Sequence, residues 1–335
     1  MAEAPIVRVA SGQELGELEI RMARSRTYRI SGMVLDSQGR PAASAQLELA
    51  YEMSGGTMRG SGGMAKPDGT FEFASLSPGD YVVTARPMGS SLTSGGESSP
   101  PVRVTVAGAD VENVTLAMSP GVTVTGQILS VDGAVPAFRP AGLQLIARPA
   151  LPGAGAFGFR SRSAVADDWT FELTGVQPVP LLFRFNGQVP GGYRFWSVIH
   201  RGADITDTPT AFTEPVSGRD LQIIITDRGA SLSGVVTDAA GRPIVRARIH
   251  LFAVETELRT VEATRTRLAL SDENGRYEME GLRAGSYYLV AWEGPSVDPR
   301  EPAQLERLVP HATPVTLRED EVRTINLRIA KIEGG

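Results

Sequence analysis

The chain has 335 residues, 41% of them hydrophobic, and its 33 basic residues are outnumbered by 38 acidic ones, for a net charge of −5. This balance gives no electrostatic footprint for nucleic acid or for an anionic membrane, so neither is expected as a partner. Because the sequence contains no cysteine, it can form no disulfide, no thiolate nucleophile and no cysteine-type zinc site.

Neither a membrane span nor an export signal is visible. The chain has no run of 18 apolar residues, and Met1 to Pro5 lack the basic and apolar regions of a signal peptide. We therefore expect no membrane insertion, and the sequence by itself gives no compartment.

A short stretch with the apolar–polar alternation of a β-strand occurs four times. The copies start 96, 107 and 104 residues apart, which is the size of a whole small domain. The first three are each followed closely by a second strand-like stretch that ends in glycine. The four copies are Leu18–Met22, Val114–Met118, Leu221–Ile225 and Ile325–Ile329, and the stretches that follow are Tyr28–Gly32, Val122–Gly126 and Ala230–Gly234.

This period predicts an all-β chain built as a tandem array of three similar domains, over residues 25–119, 120–228 and 229–335. Residues 1–24 read as the closing strands of a further repeat. Either an upstream repeat precedes them or they pair onto a neighbouring repeat, and we favour a fragment of a longer array. The linkers between repeats are only a few residues long, so we expect a semi-rigid rod.

Alternation within the first and third repeats predicts which side chains face the core. Arg246, Arg248 and His250 should point into water. The inward positions are Ile30, Val34, Ala45, Leu47 and Leu49 in the first repeat and Leu232, Val236, Ala247, Ile249 and Leu251 in the third.

Turns rich in glycine separate the predicted strands. Asp36–Pro41 and Asp238–Pro243 are predicted hairpin turns between the first two strands of their repeats, because Asp can bond its own backbone and Gly allows a positive φ. Counting the later turns gives about seven short strands per repeat, as in a β-sandwich. Residues 300–308 are predicted to form the one short helix, capping the last sandwich with Leu305 and Leu308 on one face.

The turn residues carry a family resemblance. The first repeat resembles the carboxypeptidase regulatory-like domain, a transthyretin-like β-sandwich related in architecture to Ig-like domains, and the third repeat follows the same pattern. The middle repeat matches only at its ends, and its turn at Asp167-Asp168-Trp169 lacks the glycine. The first repeat shows Ser31-Gly32-x-Val34-x-Asp36-x-x-Gly39-Arg40-Pro41, Asp68-Gly69-x-Phe71 and Leu76-x-Pro78-Gly79-x-Tyr81, and the third has Gly234, Asp238, Gly241, Pro243, Asp272, Gly275, Leu282, Gly285 and Tyr287.

The resemblance implies the fold and leaves several functions open. Domains of this kind serve as accessory, adhesive or scaffold modules, and they share no catalytic residues. We therefore expect a non-enzymatic spacer or docking module of a longer bacterial envelope or secreted protein, located outside the cytoplasm. The alternatives are a carbohydrate-binding module, by analogy with starch-binding-like sandwiches, and a regulatory appendage of an enzyme. The partner would accordingly be a protein or a polysaccharide.

No catalytic or metal site is predicted from the residues. The three histidines, His200, His250 and His311, lie in distant segments and are expected to be structural or exposed. No cofactor is expected. Calcium at Asp272/Asn274 or at Asp204/Asp207 is the alternative, although turn chemistry accounts for both pairs.

Aromatic side chains give the one specific ligand hypothesis. Carbohydrate modules stack sugar rings on exposed Trp and Tyr. The middle repeat is rich in aromatics, and Trp196 should lie on the opposite face of its strand from Tyr193. We predict Tyr193, Trp196 and Trp292 as candidate ligand-binding residues, with completion of a small core as the alternative role.

Overall fold

The computed structural model of the protein describes residues 26–53, 57–89, 96–140, 142–150, 161–259, 264–293 and 302–331, together with Gly16. Within these residues the strands form six sheets, two in each of three successive β-sandwiches. The closing strands predicted at 1–24 lie outside the described residues, Gly16 excepted. No helix in the described part of the chain is long and apolar enough to cross a membrane.

The first sandwich has seven strands, as predicted. They form a three-stranded sheet, β4-β1-β7, packed on a four-stranded sheet, β3-β2-β5-β6. The strands are β1 (Tyr28–Leu35), β2 (Gln46–Met53), β3 (Thr57–Met64), β4 (Thr70–Leu76), β5 (Gly79–Arg86), β6 (Val102–Val106) and β7 (Val111–Ala117).

The second sandwich distributes its strands differently. Its sheets are β10-β9-β12 and β11-β8-β15-β13-β14. The strand before the closing one, β13, therefore lies in the same sheet as the first and closing strands, whereas its counterpart β6 lies in the opposite sheet of the first sandwich. Thr210 makes an isolated bridge with Leu181, in the place beside β12 that β6 takes beside β5. The strands are β8 (Val122–Ser130), β9 (Gln144–Pro149), β10 (Ser161–Ala164), β11 (Thr170–Val176), β12 (Leu181–Asn186), β13 (Arg194–His200), β14 (Ala203–Asp204) and β15 (Leu221–Thr226), with a 3-10 turn at Pro190–Gly192.

The third sandwich returns to the arrangement of the first. Its sheets are β19-β16-β22, with β23 also on β16, and β18-β17-β20-β21, with β24 also on β20. The strands are β16 (Ala230–Thr237), β17 (Arg248–Ala253), β18 (Arg267–Leu270), β19 (Arg276–Leu282), β20 (Gly285–Glu293), β21 (Thr313–Leu317), β22 (Val322–Thr324), β23 (Leu327–Arg328) and β24 (Ala330–Lys331). The helical segments are α1 (Pro302–Glu306) and 3-10 turns at Thr256–Leu258 and Val309–His311.

The first strand of every repeat is paired in parallel with the last. β1 lies between β4, antiparallel, and β7, parallel. β8 has the same relation to β11 and β15, and β16 to β19 and β22. Because first and last strands run in the same direction, the chain enters each sandwich at one end and leaves it at the other.

A glycine in the first strand makes this pairing sterically possible. A Cβ on Gly32 would collide with the carbonyl oxygen of Val114 in the closing strand, and one on Gly234 would collide with that of Ile325. The register of β1 shifts between Tyr28 and Ile30 against β4 and between Ile30 and Gly32 against β7, as it does at a β-bulge. The glycine of the Ser-Gly motif is therefore a packing requirement.

Alternation predicted the two inner faces correctly. All ten residues assigned to the cores of the first and third repeats are buried, none more than 4% exposed. Arg246 and Arg248 are exposed, as expected.

The hairpin assignment was wrong. Asp36 does form the predicted turn, since its Oδ1 accepts hydrogen bonds from the backbone N–H of Gln38 and of Arg40, each at 2.9 Å. After one bridge between Leu35 and Pro41, however, the chain crosses to the opposite sheet, so β1 and β2 are not paired. The Asp238 turn does the same between β16 and β17. Turn chemistry specifies the local bend, but the burial of the apolar faces decides which sheet the next strand joins.

The outward position predicted for His250 was also wrong, because β17 is buried on both faces. Its outer face packs under a second cluster formed by Phe252, Val290, Trp292, Leu305 and Leu308. His250 is 1% exposed in consequence. The predicted helix is confirmed as α1, but it covers the outer face of a sheet.

Arg259 holds this cover in place. It donates to the backbone oxygens of Ala253 and Val254 and pairs with Glu306 of α1. Its guanidinium also lies over the ring of Phe252, 5.3 Å from the centroid. One buried cation therefore joins the loop after β17 to the helix.

Substituting Gly32 by Ala should destabilise the first repeat by about 2 kcal/mol, because the new Cβ forces β7 away from β1. Gly62→Ala is the matched control, since a Cβ there meets only the Leu47 oxygen, at 4.0 Å. Hydrogen exchange of β1 and β7 under native conditions measures the loss for this repeat alone. Equal protection in the two variants would contradict the steric account.

Acid should destabilise the third repeat through His250. Burial, with a smaller effect of the Arg248 cation, lowers the pKa of His250 to about 4. An unfolded histidine titrates near 6.5, so the contribution is complete above that pH and is lost as the pH falls toward 4, by about 3 kcal/mol. Urea unfolding at several pH values, with hydrogen exchange of β17 as the local probe, should show this slope. His250→Phe should flatten it, and an unchanged slope in that variant would contradict the assignment.

Candidate functional site

The three predicted ligand-binding aromatics lie in different environments. Trp292 is 2% exposed and belongs to the cluster beneath α1, so its burial counts against a role in stacking on a sugar. Tyr193 is partly exposed and packs against the second core and against Phe138, with ring centroids 5.0 Å apart. Trp196 is partly exposed and lies outside that core.

A β-bulge determines the position of Trp196. In the pairing of β13 with β15, Phe195 faces Ile225 and Ser197 faces Ile224, so Trp196 is the extra residue. Phe195 and Tyr193 pack against the core, whereas the ring of Trp196 is covered by Arg283, whose guanidinium carbon is 5.7 Å from the ring centroid. Because Arg283 belongs to the third repeat, Trp196 lies at the junction between two sandwiches.

Asp207 joins the two sandwiches at this junction. Its side chain is 2% exposed and accepts a hydrogen bond from Arg184 of β12 at 2.9 Å. It also accepts from the backbone N–H of Thr264 at 2.9 Å and from the Thr264 hydroxyl at 2.7 Å. One buried carboxylate of the second repeat thus binds a cation of its own repeat and a turn of the third.

Asp204 makes a second, more exposed contact across the junction. Its carboxylate accepts a 2.7 Å hydrogen bond from Arg283 and further bonds from the hydroxyl and backbone N–H of Thr206. Burial opposes ionisation of Asp204, but these bonds outweigh it and lower its pKa.

The junction between the first and second repeats uses an equivalent position. Gln177 follows β11 as Arg283 follows β19, and it donates to the backbone oxygen of Ser119 at 3.1 Å. The Ser119 hydroxyl lies 2.9 Å from the side-chain oxygen of Gln177. In both cases the residue that follows this strand reaches back to the preceding sandwich.

Three further arginines lie at the second junction. Arg194 of β13 packs over the backbone of Gly281, where a Cβ would collide with its guanidinium. Arg265 donates to the Ala284 oxygen at 2.9 Å, and Arg267 donates to the oxygens of Thr264 and Thr266. Arg267 thereby bonds to the backbone of Thr264, the residue that contacts Asp207.

The predicted calcium pairs have other partners. Asp272 accepts bonds from the backbone N–H of Asn274 and of Arg276, as a turn requires. Asp204 and Asp207 are engaged by arginine and threonine. Within the residues the structure describes, no group of three or more His, Asp or Glu side chains could hold a metal ion.

The histidines lie apart from one another. His200 packs edge-on against Phe212, with centroids 5.2 Å apart, and burial is the main cause that lowers its pKa. His250 lies in β17 and His311 in the 3-10 turn that follows α1.

Sequence reasoning identified Asp204 and Asp207 as a pair but missed their role at the junction. It also missed Arg184, Thr264 and Arg283. The available signal was the length of the segment between β13 and β15, which is much longer in the second repeat than the closing turn of the first. Nothing in the pattern of a single repeat says which residue of the next one it meets.

Three sandwiches with parallel closure and direct contacts at their junctions define a tandem β-sandwich protein. The model of one family, the carboxypeptidase regulatory-like domain, matches residues 29–119 and 231–330, which are the first and third repeats. The chain belongs to this family.

Solved structures that are similar to the chain include two bacterial pilins and a further Bacillus protein. The Streptococcal ancillary pilin is 12% identical, with 90% of this chain and 99% of that chain covered and a TM-score of 0.26. BcpA, the major pilin subunit of Bacillus cereus, is 12% identical, with 90% of this chain and 99% of that chain covered and a TM-score of 0.23. The Bacillus anthracis TIE protein is 13% identical, with a TM-score of 0.22. The match covers 91% of this chain and 50% of that chain, so this chain spans half of that protein's length. These low TM-scores support no conclusion about function, and no curated protein matches the chain.

Proposed function

We propose that this chain is a non-enzymatic structural or adhesive module that spaces or docks other domains in a longer bacterial envelope or secreted protein, outside the cytoplasm. The observation that carries the proposal is the parallel pairing of β1 with β7 and of its counterparts in the other repeats. Entry and exit lie at opposite ends of each sandwich, separated by a strand of eight residues, or about 26 Å. Successive repeats therefore add length.

The junctions support the same proposal. Four residues separate β7 from β8, and three separate β15 from β16. Each linker is accompanied by side-chain bonds between sandwiches: Ser119 with Gln177, Asp207 with Thr264, and Asp204 with Arg283. Short linkers with such contacts resist bending, which suits a spacer.

A non-enzymatic role also agrees with the chemistry of the described residues. The polar groups at the second junction are arginines, aspartates and threonines that bond to one another, so they act there as structural contacts. We expect no cofactor, and we expect the function to depend on geometry and on surface contacts.

Distance measurements between spin labels test the spacer proposal. Since the chain has no cysteine, labels at Glu172→Cys and Glu278→Cys, exposed and equivalent positions in the last two repeats, report on the second junction alone. We expect one narrow distance distribution, which Asp207→Ala combined with Arg283→Ala broadens. Asp220→Ala, which removes an exposed ion pair with Arg201, is the control and should change nothing. A broad distribution in the unmodified chain would contradict a semi-rigid spacer.

The second candidate function is carbohydrate binding. It is favoured by the partial exposure of Trp196 at a junction where a ligand would touch two repeats. Calorimetry with a panel of polysaccharides should then give a signal that Trp196→Ala abolishes. Trp292→Phe, which changes only a buried ring, should leave the signal intact. The absence of heat with every polysaccharide would remove this candidate without affecting the spacer proposal.

A further inference from the structure

The arginines at the second junction outnumber the carboxylates that could neutralise them. Asp207 is paired with Arg184 and Asp204 with Arg283. No carboxylate among the described residues lies within ion-pairing distance of Arg194, Arg265 or Arg267. Two repeats thus supply three guanidiniums that form no direct ion pair with a described carboxylate, although Asp207 acts on Arg267 from a longer distance.

These cations lie near one another. Arg267 is close enough to Arg194 for their charges to interact, and Arg265, Arg283 and Arg267 all act on the phenol of Tyr287. The Tyr287 hydroxyl donates to the Arg283 backbone oxygen at 2.7 Å, which fixes it among them. Arg194 contacts Gly281 and Arg265 contacts Ala284 and Gly285, so both guanidiniums lie against the turn between β19 and β20, which also carries Arg283.

Glycines provide the room for two of these side chains. A Cβ on Gly281 would collide with Arg194, and a Cβ on Gly285 would collide with the guanidinium of Arg265. Both glycines have positive φ, 64° and 152°, so the backbone as well as the space favours glycine. Arg194 is thus held against the backbone of β19 and Arg265 against that of β20, and both remain partly exposed.

Holding these cations together has an electrostatic cost. Burial lowers the pKa of Arg267 and the Arg194 cation lowers it further, while Tyr287 and Asp207 act in the opposite direction. Like charges in a partly desolvated site repel strongly unless an anion lies between them. Planar guanidiniums are the donors best suited to bind a carboxylate, sulfate or phosphate through two hydrogen bonds.

The ring of Trp196 indicates which kind of anion fits. Trp196 is two residues from Arg194 along β13. Its ring is covered by Arg283, which also donates a hydrogen bond to Asp204. An aromatic ring beside a cluster of guanidiniums suits a ligand that combines an apolar sugar face with an acidic group.

We propose that Arg194, Arg265 and Arg267 form a binding site for the acidic group of an anionic polysaccharide at the junction of the second and third repeats. The proposal goes beyond the spacer function. It rests on the second candidate function, carbohydrate binding, and specifies anionic polysaccharides as the ligand class. The ligand would bridge the two sandwiches, because Arg194 belongs to one and the other two arginines to the next.

Calorimetry of the full chain with oligogalacturonate and with its methyl ester tests the proposal, because esterification removes the negative charge and leaves the sugar rings unchanged. We expect the acid to bind, the ester to bind at least tenfold more weakly, and the affinity for the acid to fall as salt is added. Arg194→Ala and the milder Arg194→Gln should each weaken binding of the acid about tenfold or more. Arg276→Ala, which removes an exposed arginine of β19, should leave it unchanged.

The other outcomes each overturn the proposal in an identifiable way. Equal binding of acid and ester, lost in Trp196→Ala but not in Arg194→Ala, would leave a neutral sugar site in place of the acidic one. Binding of inorganic phosphate or of polyglutamate alone would assign the arginines to a free anion or to an acidic protein. No binding of any probe would exclude the site, while the spin-label distances would still decide the spacer function separately.

Discussion

Parallel pairing between the first and last strands of each repeat is the constraint on which the rest of the structure depends. The first and last strands belong to one sheet, and the strands between them are divided between both sheets of the sandwich. An antiparallel closure would bring the chain back to the end at which it entered. Parallel closure takes the chain to the opposite end of the sandwich. Such a closure requires a residue without a side chain, such as Gly32, where the two strands meet.

The middle repeat keeps this closure and changes what surrounds it. Trp169 occupies the turn position where the other repeats have Gly69 and Gly275, and it adopts a positive φ of 65°. That conformation is costly for a large side chain, but the ring is 1% exposed, packs edge-on against Phe138 and donates to the Phe138 oxygen at 2.9 Å. Burial of an indole with its N–H satisfied offsets the backbone cost.

The same repeat moves β13 into the sheet of the closing strand, which frees the segment after β14. Phe212 of this segment fills the core beside Phe183, Thr210 pairs with Leu181, and Asp207 is presented to the third repeat. The divergence of the middle repeat is therefore concentrated where it builds a junction. This explains why the family model matches the outer two repeats, whose strands follow the common arrangement.

The sequence predicted what depends on local pattern. Alternation located the inner faces correctly because each sheet of the sandwich buries one face, and the repeated glycine at Gly32, Gly126 and Gly234 located the first strands. His250 broke the rule because a helix more than fifty residues away covers the outer face of its strand, and a period of two does not report a second covering layer. The hairpin prediction failed for a related reason. A turn formed by Asp36 and Gly39 is compatible with pairing or with crossing, and only the packing of whole sheets distinguishes them.

Such patterns could not predict the junction residues, because the role of each one depends on which residues of the neighbouring repeat it contacts. Their residue types nevertheless carry information: of the 33 basic residues only Lys66 and Lys331 are lysines. A lysine at the position of Arg184, Arg259 or Arg283 could not bond to a carboxylate and also lie flat on an aromatic ring, as each of these arginines does against Phe195, Phe252 or Trp196. Arginine binds two groups at once with little loss of freedom, so it suits contacts that must fix both the distance and the angle between two sandwiches. The preference for arginine thus supplies the contacts of the second junction and leaves there a surplus of positive charge.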